Sequence, residues 1–204
     1  MFWVMSNARF FHRLAIGVAI TVMAFLAVGC ASAPVERAGV REVPVSIMGR
    51  GAMSASRLAS FFIEENPSAD RNKVGRMARY YIDEAGAEGV NADVAFVQMC
   101  LETGFLRFGG DVTVDMNNFC GLGTTGNGVK GASFPDERTG VRAHVQHLKA
   151  YASPEPLRGS LVDPRYKYVN PKGKAPTVYG LAGTWAADKR YGEKLEGLLR
   201  RLYS

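Results

Sequence analysis

From Ile47 onward the apolar residues recur at steps of three and four. The recurrence is broken once, over 105–129, by a stretch carrying Gly109, Gly110, Gly121, Gly123, Gly126 and Gly128. Steps of three and four place apolar side chains on one face of an α-helix, whereas glycine at that density suits neither helix nor strand. The spacing predicts a short helix over 54–65, with Met53, Arg57 and Phe61 one turn apart and Pro67 as its stop. A second is expected over 71–85, capped by Asp70, with Val74, Met77, Tyr81 and Ala85 in line and Gly86 and Gly89 ending it. A third, over 91–103, has Asn91 or Asp93 as cap and Gly104 as terminator. Its residues Val94, Val97 and Leu101 share one side, and Ala95, Gln98, Met99 and Glu102 share another. A fourth starts at Asp136 or Thr139 and runs through Ala152, with Val141, Val145, Leu148 and Ala152 as its buried stripe. After a Pro/Lys/Tyr-rich connector over 153–177, an Asp188 cap opens a fifth whose Tyr191, Leu195, Leu198 and Leu202 face inward. The expected fold is mainly α, with 105–129 as a long loop or a short hairpin.

The N-terminus has a different character. Residues 1–13 carry Arg9 and Arg13 and no acid, and 14–28 (LAIGVAITVMAFLAV) has no formal charge and ends at Gly29-Cys30. Such a run is shorter than the roughly 20 residues of a spanning helix and reads as an export signal, with an uncleaved anchor as the alternative. The string LAVGC (26–30) resembles the lipobox of bacterial lipoproteins, in which the Cys is lipidated and becomes the first mature residue. Ala27 stands where such boxes usually have Leu, so ordinary cleavage near Ala31, Ser32 and Ala33 stays open. Lipidation of Cys30 would supply a membrane anchor for a water-soluble domain, and Ala31 after it implies, by the same resemblance, the periplasmic face of the outer membrane. The organisation expected is a signal over 1–29, a tether over 30–46 containing Pro34 and Pro44, and a domain over 47–204.

Charge narrows the partners. Two of the 25 basic side chains and none of the 19 acidic ones precede Cys30, so the exported chain carries +4. With no run of like charges and no basic–aromatic repeat, nucleic-acid binding is unsupported, while a mild positive excess suits an anionic polymer such as peptidoglycan. With Cys30 taken for lipid, Cys100 and Cys120 form either a disulfide or two small buried thiols. Their spacing fits no zinc pattern, and His144 and His147 lack a third ligand nearby, so no metal or other cofactor is expected. The stretch 121–126 fits GxGxxG, but no apolar strand precedes it and no helix follows, which removes the dinucleotide reading.

Glu102 is the residue with chemical promise. A carboxylate in the last turn of a helix meets the negative end of the macrodipole, and Phe105, Leu106 and Phe108 can strip water from it. Both effects raise its pKa, as a general acid for glycosidic cleavage requires. Glu137 and Asp136 are the candidates for a second catalytic carboxylate, each with an alternative reading as the cap or dipole partner of a helix. Participation by a substrate N-acetyl group would remove the need for a protein nucleophile.

Four strings occur in order: 93–105 (DVAFVQMCLETGF), 117–123 (NNFCGLG), 134–148 (FPDERTGVRAHVQHL) and 183–191 (GTWAADKRY). They resemble the glucosaminidases of glycoside hydrolase family 73, over roughly 47–204. The resemblance implies a lysozyme-like, mainly α single catalytic domain that hydrolyses the β-1,4 bond on the reducing side of N-acetylglucosamine in peptidoglycan glycan strands. It places Glu102 at the family's catalytic glutamate. Asn118, Phe119 and Gly121 match the Asn-x-Phe-Gly-like loop beside that residue, with Cys120 inserted. Trp185 stands where many members have a cleft-lining Tyr, and Gln98, Phe105, Phe108 and Tyr191 are expected near substrate. The rival readings are a lytic transglycosylase, whose usual Gly-Leu-Met-Gln-like string is absent, and a wall-binding lipoprotein that has lost catalysis.

Overall fold

The structure, a computed structural model, describes residues 43–126 and 128–204. The export signal, Cys30 and most of the expected tether lie outside the described residues. Five helices follow in order: α1 (Ala55–Glu65), α2 (Arg71–Glu88), α3 (Ala92–Thr103), α4 (Glu137–Ala152) and α5 (Tyr191–Tyr203). Single 3₁₀ turns at Val114–Met116, Tyr166–Tyr168 and Val178–Leu181 punctuate the connections, and the described residues contain only isolated β-bridges. The expected mainly α fold is therefore the fold observed, and 105–129 is a loop rather than a hairpin.

Helix ends follow local chemistry. Ser54, Asp70, Asn91 and Asp136 each accept a backbone N–H of the first turn of α1, α2, α3 and α4. Gly104 closes α3 in the left-handed conformation, φ 57°, with its N–H returned to Cys100 and Leu101. α2 does not stop at Gly86 but runs one turn further, to Gly89. That extra turn carries Glu88 into the interior, where it accepts Lys149 Nζ at 2.9 Å and the amides of Arg158 and Gly159 at 2.9 and 3.0 Å. α5 starts later than its expected cap. The Asp188 carboxylate, three residues before the helix, accepts the Arg190 amide at 2.8 Å, so the side chain shapes the turn rather than capping the first helical N–H groups.

The stripes of α2 and α4 are buried as spaced: Val74, Met77, Tyr81 and Ala85 against Val141, Val145, Leu148 and Ala152. In α5 the inward residue is Leu199 rather than Leu198, which gives steps of four, four and three from Tyr191 to Leu202. In α1 the core residues are Leu58, Phe61 and Phe62, while the Arg57 guanidinium reaches out to the carbonyls of Arg201 and Leu202.

α3 is buried from Ala92 through Cys100 and again at Thr103, the mark of a helix enclosed by others. Its first turn ties both ends of the domain together. Asp93 accepts the Ala52 amide at 2.8 Å and the Tyr203 hydroxyl at 2.6 Å, and a Cβ on Gly51 would stand 2.7 Å from its carboxylate. The last residues of the expected tether also dock. Val43 is buried, Val45 accepts the Val178 amide at 2.9 Å, and Ser46 and Met48 bridge Thr177 and Val90.

The long loop between α3 and α4 leans on α4 at Gly140, where a Cβ would stand 1.8 Å from the Asn117 carbonyl oxygen. Helix propensity alone favours alanine there by about 1 kcal/mol. Overlap with backbone outweighs that preference, so Gly140→Ala is expected to destabilise the protein by about 1–3 kcal/mol, read as a lowered Tm. A raised Tm would show that the loop does not rest on α4 as described.

Candidate active site

The site grows from the end of the buried helix. Thr103 donates to the Met99 carbonyl at 2.8 Å, accepts the Leu106 amide at 2.9 Å, and passes its own carbonyl to Phe108 N at 2.9 Å. The chain thereby leaves α3 in a tight left-handed path, with Phe105, Leu106 and Phe108 at φ of 57°, 58° and 51°. Side chains rarely hold such angles unless neighbours fix them. Asn66 grips the Phe105 carbonyl at 2.9 Å, and Arg107 reaches the Glu65 carbonyl at 2.7 Å. Beyond this turn the chain passes Gly109 and Gly110 and forms one wall of a cleft of about 380 Å³; the other wall carries Asn118, Gly121, Thr124 and Gly126. Five of the lining residues are glycines, so backbone forms much of the cleft's surface.

Glu102 lines this cleft. Its Oε1 accepts two hydrogen bonds, from Trp185 Nε1 at 2.9 Å and from the Tyr191 hydroxyl, while Oε2 has no protein partner among the described residues. Glu102 is exposed to the cleft as a residue, but protein packs closely round the Oε1 side of its carboxyl. That loss of water raises its pKa, and the two donors pull more weakly the other way. The Tyr191 hydroxyl is pushed well up in turn, by its own burial and then by the charge of Glu102. Trp185 is held by a ring cluster: Tyr151, His147 and His144 stand 5.1, 5.2 and 5.9 Å from it.

The residues expected near substrate divide into groups. Glu102, Phe108 and Asn118 line the cleft. Asn118 is itself fully buried and spends its side chain on the loop, donating to the Leu122 and Ala132 carbonyls at 3.0 and 2.9 Å and accepting the Leu122 amide at 2.9 Å. Trp185 and Tyr191 touch Glu102 rather than forming an open platform. Gln98 and Phe119 are corrections: both are fully buried, Gln98 donating to Tyr191 OH at 3.0 Å and Phe119 packing in the core. Phe105 turns away from the cleft, its ring against Phe62 at 5.4 Å and Phe61 at 5.9 Å.

Neither expected second carboxylate lines the cleft. Asp136 caps α4 and is held ionised, first by the Thr139 amide. Glu137 is bound by Arg76 at 3.3 Å and Lys73 at 3.5 Å. The carboxylate that shares the cleft with Glu102 is Asp111, which the helical patterning passed over because it sits in the glycine-rich excursion. Its only signal in the sequence is an acid directly after Gly109 and Gly110. Cys100 and Cys120 are free thiols, not a disulfide. Cys100 belongs to the main core and Cys120 to a small separate cluster with Leu122, Phe134 and Ala143, and burial pushes both thiols up. Among the described residues no three His, Cys, Asp or Glu side chains gather as a metal site.

Comparison with known proteins agrees with the resemblance carried by the four strings. The glucosaminidase family, described as mannosyl-glycoprotein endo-beta-N-acetylglucosaminidase, matches residues 78–204. A protein of Borreliella burgdorferi (strain ATCC 35210), described as uncharacterized, is 46% identical over 156 residues, covering 76% of each chain. Among solved structures, S. aureus autolysin E in complex with the muropeptide NAM-L-Ala-D-iGlu aligns over 80% of this chain and 74% of its own, with TM-score 0.45 and 13% identity. With its family match covering more than half of the chain and including the Glu102 cleft, this protein belongs to the glucosaminidase family.

Proposed function

We propose that the protein is an exported peptidoglycan hydrolase that cleaves the β-1,4 bond on the reducing side of N-acetylglucosamine, with Glu102 as general acid. The observation that carries this reading is the division of labour on one carboxyl group. Two donors occupy Oε1 and leave Oε2 for the proton, and partial burial favours the protonated form. A general acid needs that proton on the oxygen facing the leaving group. Asp111, which lines the same cleft, is the candidate to act on water at the far side of the sugar, and Phe108 offers a ring for a sugar face. Peptidoglycan fits as substrate because the cleft is open and glycine-lined and the exported chain is mildly basic. Cys30, in its lipobox-like string, would anchor the domain on the periplasmic face of the outer membrane.

The test is mass spectrometry of fragments released from purified peptidoglycan by the full chain. Reducing N-acetylglucosamine ends are expected, and both Glu102→Gln and Asp111→Asn should release them at least about 10²-fold more slowly. Anhydro-muramic ends would make the protein a transglycosylase, and tight pelleting with the wall without fragments would make it a binding lipoprotein. Undiminished digestion by Glu102→Gln would end the assignment of the acid.

The rate should also fall on the alkaline side as Glu102 loses its proton. Because burial raises its pKa, that limb of kcat/KM against pH is expected above the ordinary glutamate range near 4.3. A limb at the ordinary value would contradict the desolvated acid. Anchoring is checked separately: cells fed a labelled fatty acid should label the wild-type chain and not Cys30→Ala, and equal labelling would refute lipidation at Cys30.

A further inference from the structure

Behind Glu102 a row of buried polar side chains crosses the core. Tyr81 of α2 meets His144 Nδ1 of α4 at 2.8 Å, and His144 Nε2 meets Gln98 Oε1 of α3 at 3.1 Å. Gln98 Nε2 donates to the Tyr191 hydroxyl of α5 at 3.0 Å, and Tyr191 donates to Glu102. Tyr81, His144 and Gln98 have no exposed surface, and Tyr191 is nearly as buried. None of the first three touches the cleft, and the chemistry of Glu102 needs only Tyr191. Four polar side chains from four helices are a costly way to fill a core unless their order matters.

We propose that Tyr81, His144 and Gln98 are positioning residues that fix the direction in which Tyr191 donates, and so reinforce the acceptor role of Oε1, which Trp185 Nε1 also marks, and hold the acidic proton on Oε2 of Glu102. The proposal rests on the reading of Glu102 as the acid. Direction is set at the far end. The Tyr81 hydroxyl has a single hydrogen-bond partner among the described residues, His144 Nδ1, so it must donate there or leave a buried O–H unpaired. Nδ1 is then bare, and a neutral imidazole carries its one hydrogen on Nε2. That N–H requires an acceptor, which turns Gln98 Oε1 toward it and Gln98 Nε2 toward the Tyr191 oxygen. With its oxygen occupied, Tyr191 points its own hydrogen at Oε1 of Glu102, and the acidic proton is left on Oε2. Reversing any link would reverse all of them and turn Tyr191 away from the carboxylate. Burial supports the arrangement by lowering the His144 pKa to about 3, so the ring keeps a single N–H.

The charged and titratable surroundings are few. His144 faces Tyr81, Gln98, the Trp185 ring and its helix neighbour His147. Glu102 faces Tyr191, Trp185 and Cys120, and Asp111 shares its cleft. No Lys or Arg pairs with either among the described residues.

The test compares the full chain with Gln98→Leu, Tyr81→Phe and His144→Gln, reading both the Glu102 carboxyl titration by ¹³C NMR and kcat/KM against pH. Without Gln98 donating to its oxygen, Tyr191 becomes a weaker donor to Glu102, and a weaker donor stabilises the ionised carboxylate less. Gln98→Leu should therefore raise the Glu102 midpoint by about half a pH unit or more and lower kcat about 10–100-fold with KM nearly unchanged. Tyr81→Phe, which removes one oxygen, should move both in the same direction with a kcat loss of about 3–10-fold. His144→Gln keeps a donor toward Gln98 and an acceptor toward Tyr81 and should leave the midpoint in place. A merely structural role would lower the folded fraction at every pH without moving the midpoint. An unmoved midpoint in folded Tyr81→Phe and Gln98→Leu would overturn the proposal; if Gln98→Leu does not fold, Tyr81→Phe alone decides. Should the wild-type chain cleave nothing, the hydrolase reading fails while the NMR midpoints still judge the relay.

Discussion

The burial of α3 on nearly every side governs the rest of the structure. A helix enclosed by α1, α2, α4 and α5 can offer water only its ends. The first end is spent on closure, with Asp93 drawing the backbone before α1 and the last turn of α5 onto it. The second end therefore opens on the cleft. Glu102 sits in the last turn, Thr103 ties the chain into its sharp exit, and Gly104 supplies the left-handed cap that lets the loop swing back across the helix end. Removing that exit would bury the carboxylate or carry the loop away from it.

The core pays for this placement in polar groups, and each is answered. Lys149 and Glu88 are both buried and paired, with two backbone amides completing the carboxylate. Glu84 receives Arg138 at 2.5 Å and Arg142 at 2.7 Å across the α2–α4 contact. Removing one member of the buried Lys149–Glu88 pair costs about 3–5 kcal/mol, far more than loss of an exposed pair such as Arg190–Glu193. These contacts lock α2 and α4 in register, and the same two helices supply Tyr81 and His144. Register between them is thus also register of the row of hydrogen bonds that ends on Tyr191.

Local pattern revealed what depends on one helix alone: the stripes of α2 and α4, the caps of α2, α3 and α4 and the terminal position of Glu102, while the Ser54 cap of α1 escaped it and Asp188 does not cap α5. It misjudged what depends on a partner elsewhere. Gly86 looks like a helix end until Glu88 is seen to have a binding site waiting for it. Leu198 and Leu199 are equivalent by composition, and only the lie of α5 on its neighbours selects the second. Gln98 shares a helix face with Glu102, which suggested substrate contact, but the face turns inward one turn before the end. Asp136 was legible as a cap, and its bond to the Thr139 amide makes it one, whereas Glu137 stands in the first turn of α4 and spends its carboxylate on Arg76 and Lys73 of α2. Asp111 could not be recognised, because an irregular loop has no period from which to infer which of its residues face the cleft.

The loop's irregularity and the acid's exactness belong to one design problem. A polysaccharide chain needs an open trough, and an open trough admits the water that would pull Glu102 back toward an ordinary carboxylate. Glycine walls solve the first requirement without solving the second. Desolvation has to come from the protein side, where Trp185 and Tyr191 cover one oxygen and the core lies behind them. Covering that oxygen with two donors favours ionisation, so the proposed acid requires burial to outweigh them, and the raised pKa of Glu102 follows that direction. What the donors provide is asymmetry: two chemically equal oxygens become one fixed acceptor and one proton carrier facing the trough. In a cleft too open to hold a substrate by enclosure, that asymmetry is what, on the hydrolase reading proposed above, would orient the reaction, and its source lies in the closed part of the fold.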